Sequence, residues 1–231
     1  MADIRLRSDS GDIYPAFEPL MWIVAAALVG FAVPAIFSSR LHLERGVFLI
    51  PYVVLVGSFL TVFFWRRRAS PFGPARTWPL GLIGAVIFGF FVVRNVLGQP
   101  ASTPPEGVQL VWALLWFGVI YGVVDALFLN VMPVLAVREC SSWNGEPAWR
   151  RRILVGVLGL VASALVTGAY HLGYSEFRSS TLFAPLLGNM LITLSYLLTR
   201  SPLAPVGAHT AMHVASVLHG METVVQLPPH Y

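Results

Sequence analysis

The sequence predicts an all-α, polytopic membrane bundle of about seven transmembrane helices with its N-terminus in the cytosol. Three observations carry this expectation. Of the 231 residues, 56% are hydrophobic and only 11% are charged, whereas soluble domains carry roughly 25% charge. The apolar residues gather into runs long enough to cross a bilayer. The arginines are divided unevenly between the intervening links.

A span needs roughly 20 predominantly apolar residues. Seven stretches qualify, at about 20–38, 46–65, 79–98, 110–133, 153–172, 181–199 and 202–219. The segment before the first mixes Asp3, Asp9 and Asp12 with Arg5 and Arg7. A cleaved signal has a short basic start and a short apolar core, so 20–38 is expected to remain as the first span. The fourth stretch is apolar over 108–137 and contains Pro133. Within it, "GVIYG" sets Gly118 and Gly122 four apart, a spacing that lets helices approach closely. The link "GQPASTPPEG" at 98–107 is a Pro-rich connector. The seventh stretch is short and rich in small residues, which predicts shielding by its neighbours. No separate soluble domain is evident, and residues 1–231 read as one integral membrane domain.

Seven spans put the N-terminal segment and the links at 66–78, 138–152 and 200–201 on one side. That side receives eleven arginines, the other only Arg40, Arg45 and Arg178, and Arg94 falls inside a span. Positive charge collects on the cytosolic side, which places the N-terminus inside and the C-terminus outside. The net charge of +4 is explained by this asymmetry, so no nucleic-acid partner is expected; the bilayer is the partner. All 15 basic residues are arginine, a bias of GC-rich bacterial genomes, and the expected location is the bacterial cytoplasmic membrane. Cys140, alone and in a cytosolic link, reads as a reduced thiol.

Ionisable groups within spans are costly and mark function by default. Five fall there: Arg94, Asp125, His171, His209 and His213. Asp125 is the one acid well inside a span. His209 and His213, in "HTAMH", stand about 40° apart on one helical face. Such a pair suits one zinc or similar divalent ion, although the Glu of an HExxH helix is missing. Other readings stand beside this one. The histidines can hydrogen-bond neighbouring helices, Arg94 can pair with Asp125, and His171 and His219 can be interfacial. No GxSxG motif supports serine chemistry.

The stretch "LLTRSPLAPVGAHTAMH" (197–213) resembles the last motif of the CAAX-prenyl protease and bacteriocin-processing (Abi) family of intramembrane proteases. Thr199, Ser201, Ala204, Pro205, Ala208 and His209 match its Thr-x-Ser-x-x-Ala-Pro run and the Ala-His that follows. "TGAYH" (167–171) is similar to the FxxxH motif, with Thr167 for Phe. "DALFLN" (125–130) stands where EExxxR is expected, with Asp125, Ala126 and Asn130 in the three positions. The resemblance covers about 110–220. It implies that Asp125 and His171 activate a water, and that His209 and His213 polarise the scissile carbonyl of a peptide or small membrane-protein substrate. His213 replaces the family's Asn and adds a metal-ligating group, so the same four residues also make a metal-ligand set. Two alternatives remain open: a non-catalytic membrane scaffold serving immunity or export, and a seven-span metal hydrolase of lipid amides resembling adiponectin receptors and alkaline ceramidases. On straight helices Asp125 and His171 are separated in depth, by more than about 10 Å at ~1.5 Å per residue. Tilt, a break near Pro133 or a wet cavity would have to join them.

Overall fold

The computed structural model describes residues 17–138, 147–222 and 227. Arg5, Arg7, Cys140 and His230 lie outside the described residues. Among the described residues all regular structure is helical. The helices are α1 (Glu18–Arg40), α2 (Arg45–Arg67), α3 (Ala75–Leu97), α4 (Gly107–Arg138), α5 (Ala148–Leu172), α6 (Ser180–Thr199) and α7 (Leu203–Leu218). The first six are long and apolar enough to span a membrane, and α7 is apolar but shorter, at 16 residues.

The outward faces carry large apolar side chains, among them Leu28, Val54, Val86, Phe90, Leu187 and Leu198, each at least half exposed. A surface of that kind is stable only against lipid. The chain is therefore a polytopic helical membrane protein. Short links reverse the chain between helices. The ends of α2, α4 and α6 and the starts of α3, α5 and α7 thus form one arginine-rich end of the bundle, where Arg66, Arg68, Arg76, Arg138, Arg151 and Arg200 lie. Arg45, expected in a link, instead opens α2, is buried, and donates from Nη1 to Met221 O at 2.5 Å.

In lipid, helices associate by close packing, and the seam between α3 and α7 shows how. A Cβ added to Gly81 would lie 2.3 Å from Ser201 Oγ, one at Gly84 3.0 Å from Ala204 Cβ, and one at Gly207 2.6 Å from Ala85 Cβ. Gly118 and Gly122 do the same for α4. Added Cβ atoms there would meet Val214 Cγ2 at 2.9 Å and Thr210 Cα at 2.8 Å. Small residues on both flanks therefore sink α7 between α3 and α4, as its shortness and composition predicted.

Helix α4 runs through Pro133 to Arg138 without a break. Proline has no N–H for the carbonyl four residues back, and Ser163 of α5 supplies the missing donor, from Oγ to Leu129 O at 2.6 Å. The irregularities lie upstream. Leu114–Ile120 and Ala126–Val131 are wide, π-helical turns that flank Tyr121–Asp125. Turns of this kind are rare and gather at functional sites. Here they rotate and bracket the segment that presents Asp125.

Candidate active site

Asp125, on α4, and His209 and His213, on α7, converge in the bundle interior. Their side chains are 4%, 5% and 1% exposed. Asp125 Oδ2 lies 3.8 Å from His209 Nε2 and 3.7 Å from His213 Nε2. One ligand atom from each residue can be chosen so that all three lie within 4.8 Å of one another. The imidazole planes are parallel to within 5°, with centroids 5.0 Å apart, which follows from their i, i+4 spacing on a regular helix.

The surroundings dictate which nitrogens carry hydrogen. Asn130 Nδ2 donates to Asn189 Oδ1 at 2.7 Å and to Thr193 Oγ1 at 2.8 Å. Its amide hydrogens are thereby used, and Asn130 Oδ1 is left as an acceptor for His209 Nδ1 at 3.0 Å. His209 Nδ1 therefore carries the proton, and Nε2 turns its lone pair towards Asp125. His171 obeys the same logic: Nδ1 donates to Thr167 O at 2.9 Å, because a carbonyl can only accept, and Nε2 keeps its lone pair. His213 has no hydrogen-bond partner on either ring nitrogen. Buried polar atoms are nearly always paired; among the described residues both nitrogens of His213 are unpaired and open to a ligand.

The carboxylate is held from its other side. Tyr52 Oη donates to Asp125 Oδ1. The Tyr121 ring lies 4.5 Å from that of His213, and its hydroxyl begins a buried chain to Tyr170 (2.5 Å) and on to Tyr174 (2.8 Å). Behind His209, Asn189 Nδ2 donates to Ser163 Oγ at 3.0 Å and to Thr167 Oγ1 at 2.5 Å. One polar network thus ties α4, α5, α6 and α7 together beneath the site. Partners of this outer kind orient metal-ligating histidines and fix their tautomer.

A cavity of about 590 Å³ reaches this cluster. Its walls come from α3, α4, α5, α6 and α7, and Asp125, His171, His209 and His213 all line it. The cavity joins Asp125 and His171, which straight helices would hold apart in depth. His171 nevertheless stands outside the close Asp–His–His group, edge-on to Tyr170 and Phe177 with centroids 5.0 and 4.9 Å away. Arg94 is exposed on α3, and the ion-pair partners of Asp125 among the described residues are the two histidines. The Arg94–Asp125 pairing is therefore set aside. His219 ends α7 and bonds through Nε2 to Gln99 O at 2.8 Å, away from the cluster.

The donor set suits a divalent ion. Oxygen and imidazole ligands sit about 2.1 Å from zinc, so the edge of such a tetrahedron is about 3.4 Å. The two carboxylate–imidazole separations are within a few tenths of an ångström of that edge, while the imidazole–imidazole edge is bounded at 4.8 Å and would have to close on an ion. Three protein ligands and one open position facing a cavity are the pattern of catalytic rather than structural zinc.

Comparison of the chain with family models, with curated proteins and with solved structures finds no match. The residues of the 197–213 stretch still have visible structural work. Thr199 Oγ1 donates to Ser195 O at 2.7 Å and accepts from Ser201 N at 3.3 Å, closing α6. Ala204 and Ala208 pack on Gly84 and Gly89. The stretch shapes the turn that delivers His209 and His213. Sequence reasoning passed over Tyr52, Asn189 and Thr193. Their signal is the presence of hydroxyls and amides inside apolar spans.

Proposed function

We propose that this protein is a membrane-embedded hydrolase that cleaves an amide bond, in a peptide or small membrane protein, with a water activated at the Asp125–His209–His213 centre. The observation that carries the reading is the convergence of a buried carboxylate and two imidazoles, with no hydrogen bonds between them, on the wall of a 590 Å³ cavity. A divalent ion held there by Asp125, His209 and His213 would supply a nucleophilic water near neutral pH.

The remaining residues have separable roles. Asn130 holds His209 in the tautomer that faces the centre. Tyr52 occupies Asp125 Oδ1 and leaves Oδ2 for the ligand. His171, with a bare Nε2 on the same cavity, accepts the proton of the attacking water and returns it to the departing amine. Water oxygen adds to the carbonyl carbon, the C–N bond breaks, and a carboxylic acid and an amine result. The cavity wall includes Phe91, Leu187 and Leu191. Phe91 and Leu187 are also exposed on the lipid-facing surface, which suits a substrate arriving from the bilayer. The resemblance of 197–213 to the Abi proteases favours a peptide over a lipid amide. The cytosolic N-terminus and a bacterial cytoplasmic membrane complete the proposal.

The test compares bacteria expressing the wild type or Asp125→Asn, mapping new protein N-termini in isolated membranes and quantifying released fatty acids. New N-termini confined to the wild type are expected. Released fatty acids without new N-termini would transfer the activity to lipid amides. Identical profiles, together with full biological activity of Asp125→Asn, would replace the enzyme with a scaffold.

A further inference from the structure

The arginine-rich end of the bundle holds a second concavity, of about 290 Å³, formed where α4 ends, α5 begins and α6 ends. Four of its lining residues are arginines: Arg138, Arg151, Arg152 and Arg200. Among the described residues no acid lines it and none pairs with any of the four. Its floor is apolar, made by the buried side chains of Val134 and Tyr196. Gly159 keeps that floor tight, since a Cβ there would stand 3.3 Å from Val134 and 3.6 Å from Leu197.

A further feature indicates the occupant. Beside the arginines, Trp149, Ile153 and Leu198 present exposed apolar side chains to the lipid. The concavity therefore offers a polyvalent cationic seat continuous with an apolar wall. Free phosphate needs only the first; a phospholipid needs both.

We infer that this concavity binds the phosphate of an anionic phospholipid, with its acyl chains lying along α5 and α6. Guanidinium forks recognise phosphate bidentately, and basic pockets between helices at the cytosolic face recruit anionic head groups. The inference is independent of the hydrolytic reading, because the site lies at the other end of α4 from the mouth of α5 that carries His171.

The test is native mass spectrometry of the purified full chain. Phosphatidylglycerol, phosphatidylcholine or inorganic phosphate is added to the wild type, to Arg151→Gln/Arg152→Gln/Arg200→Gln, and to Arg66→Gln/Arg68→Gln/Arg76→Gln. The last removes equal charge from the same end without touching the concavity. One retained phosphatidylglycerol per wild-type chain is expected, resistant to millimolar inorganic phosphate and not matched by phosphatidylcholine. Affinity should fall about fivefold for each pocket guanidinium removed and stay unchanged in the control variant. Equal losses in both variants, or no loss in either, would overturn the inference. Complete displacement by inorganic phosphate would overturn the lipid and leave a free-anion site. Arg152→Gln alone, an exposed single change, provides the same readout if the triple variant misfolds.

Discussion

His213 Nε2 stands 3.7 Å from Asp125 Oδ2, and neither ring nitrogen of His213 has a hydrogen-bond partner. His209 Nε2, whose tautomer Asn130 fixes as an acceptor, also faces Asp125 Oδ2, 3.8 Å away and beyond hydrogen-bond length, an arrangement that a cation between them would relieve. The first prediction follows. Protein purified from zinc-replete cells should carry about one divalent ion per chain by elemental mass spectrometry, and His209→Ala/His213→Ala should carry none. Chelation should lower the thermal midpoint of the wild type and leave that of the double variant in place. A metal-free wild type of unchanged midpoint would return the site to carboxylate–imidazole chemistry.

Asn130 does not reach the cluster's centre but sets the tautomer of His209 through its Oδ1. Replacing it with Leu should weaken zinc affinity about 10- to 100-fold, the usual effect of losing such a partner. The ligand set itself stays intact, so saturating zinc should recover one ion per chain. Competition with a chromophoric chelator measures both quantities.

Gly122 marks where α4 meets the helix that carries the histidines. A methyl group there would lie 2.8 Å from Thr210 Cα and 3.3 Å from His213 Cδ2. Gly122→Ala should therefore cost about 1–3 kcal/mol through overpacking and impair metal binding together with stability. Gly57→Ala, with nothing within 4 Å of the added carbon, should be neutral. Equal behaviour of the two in detergent unfolding would refute the tight α4–α7 contact.

Tyr52 gives Asp125 its one hydrogen bond from α2. Tyr52→Phe keeps the ring and removes the donor, and hydrogen bonds to charged groups contribute roughly 1.5–3 kcal/mol. A lower unfolding midpoint is expected with metal stoichiometry still near one, since Oδ2 remains in place. Loss of metal as well would mean that Tyr52 also fixes the carboxylate's rotamer.

The helical class was legible because a bilayer tolerates few solutions. Runs of about 20 apolar residues and the arginine asymmetry read directly as spans. Asp125 and the His209/His213 pair were legible for the same reason, since charge in a span is conspicuous. The Asn130–Asn189–Thr193 support was not, because it joins residues 59 to 63 positions apart on different helices and no local pattern announces such a meeting. The wide turns around Asp125 were hidden too. They leave no mark in the apolar pattern, and a straight-helix projection holds Asp125 and His171 apart in depth. Arg45 falls one residue before the span the apolar pattern marks, and its contact with Met221 O draws it into the bundle.

Helix α7 has 16 residues, about 24 Å at ~1.5 Å per residue, against a hydrocarbon thickness of about 30 Å. A helix that short would mismatch the bilayer if lipid surrounded it, but the glycines of α3 and α4 wrap it on both flanks. The histidines are thus carried by a helix whose length is set by its protein neighbours rather than by the membrane.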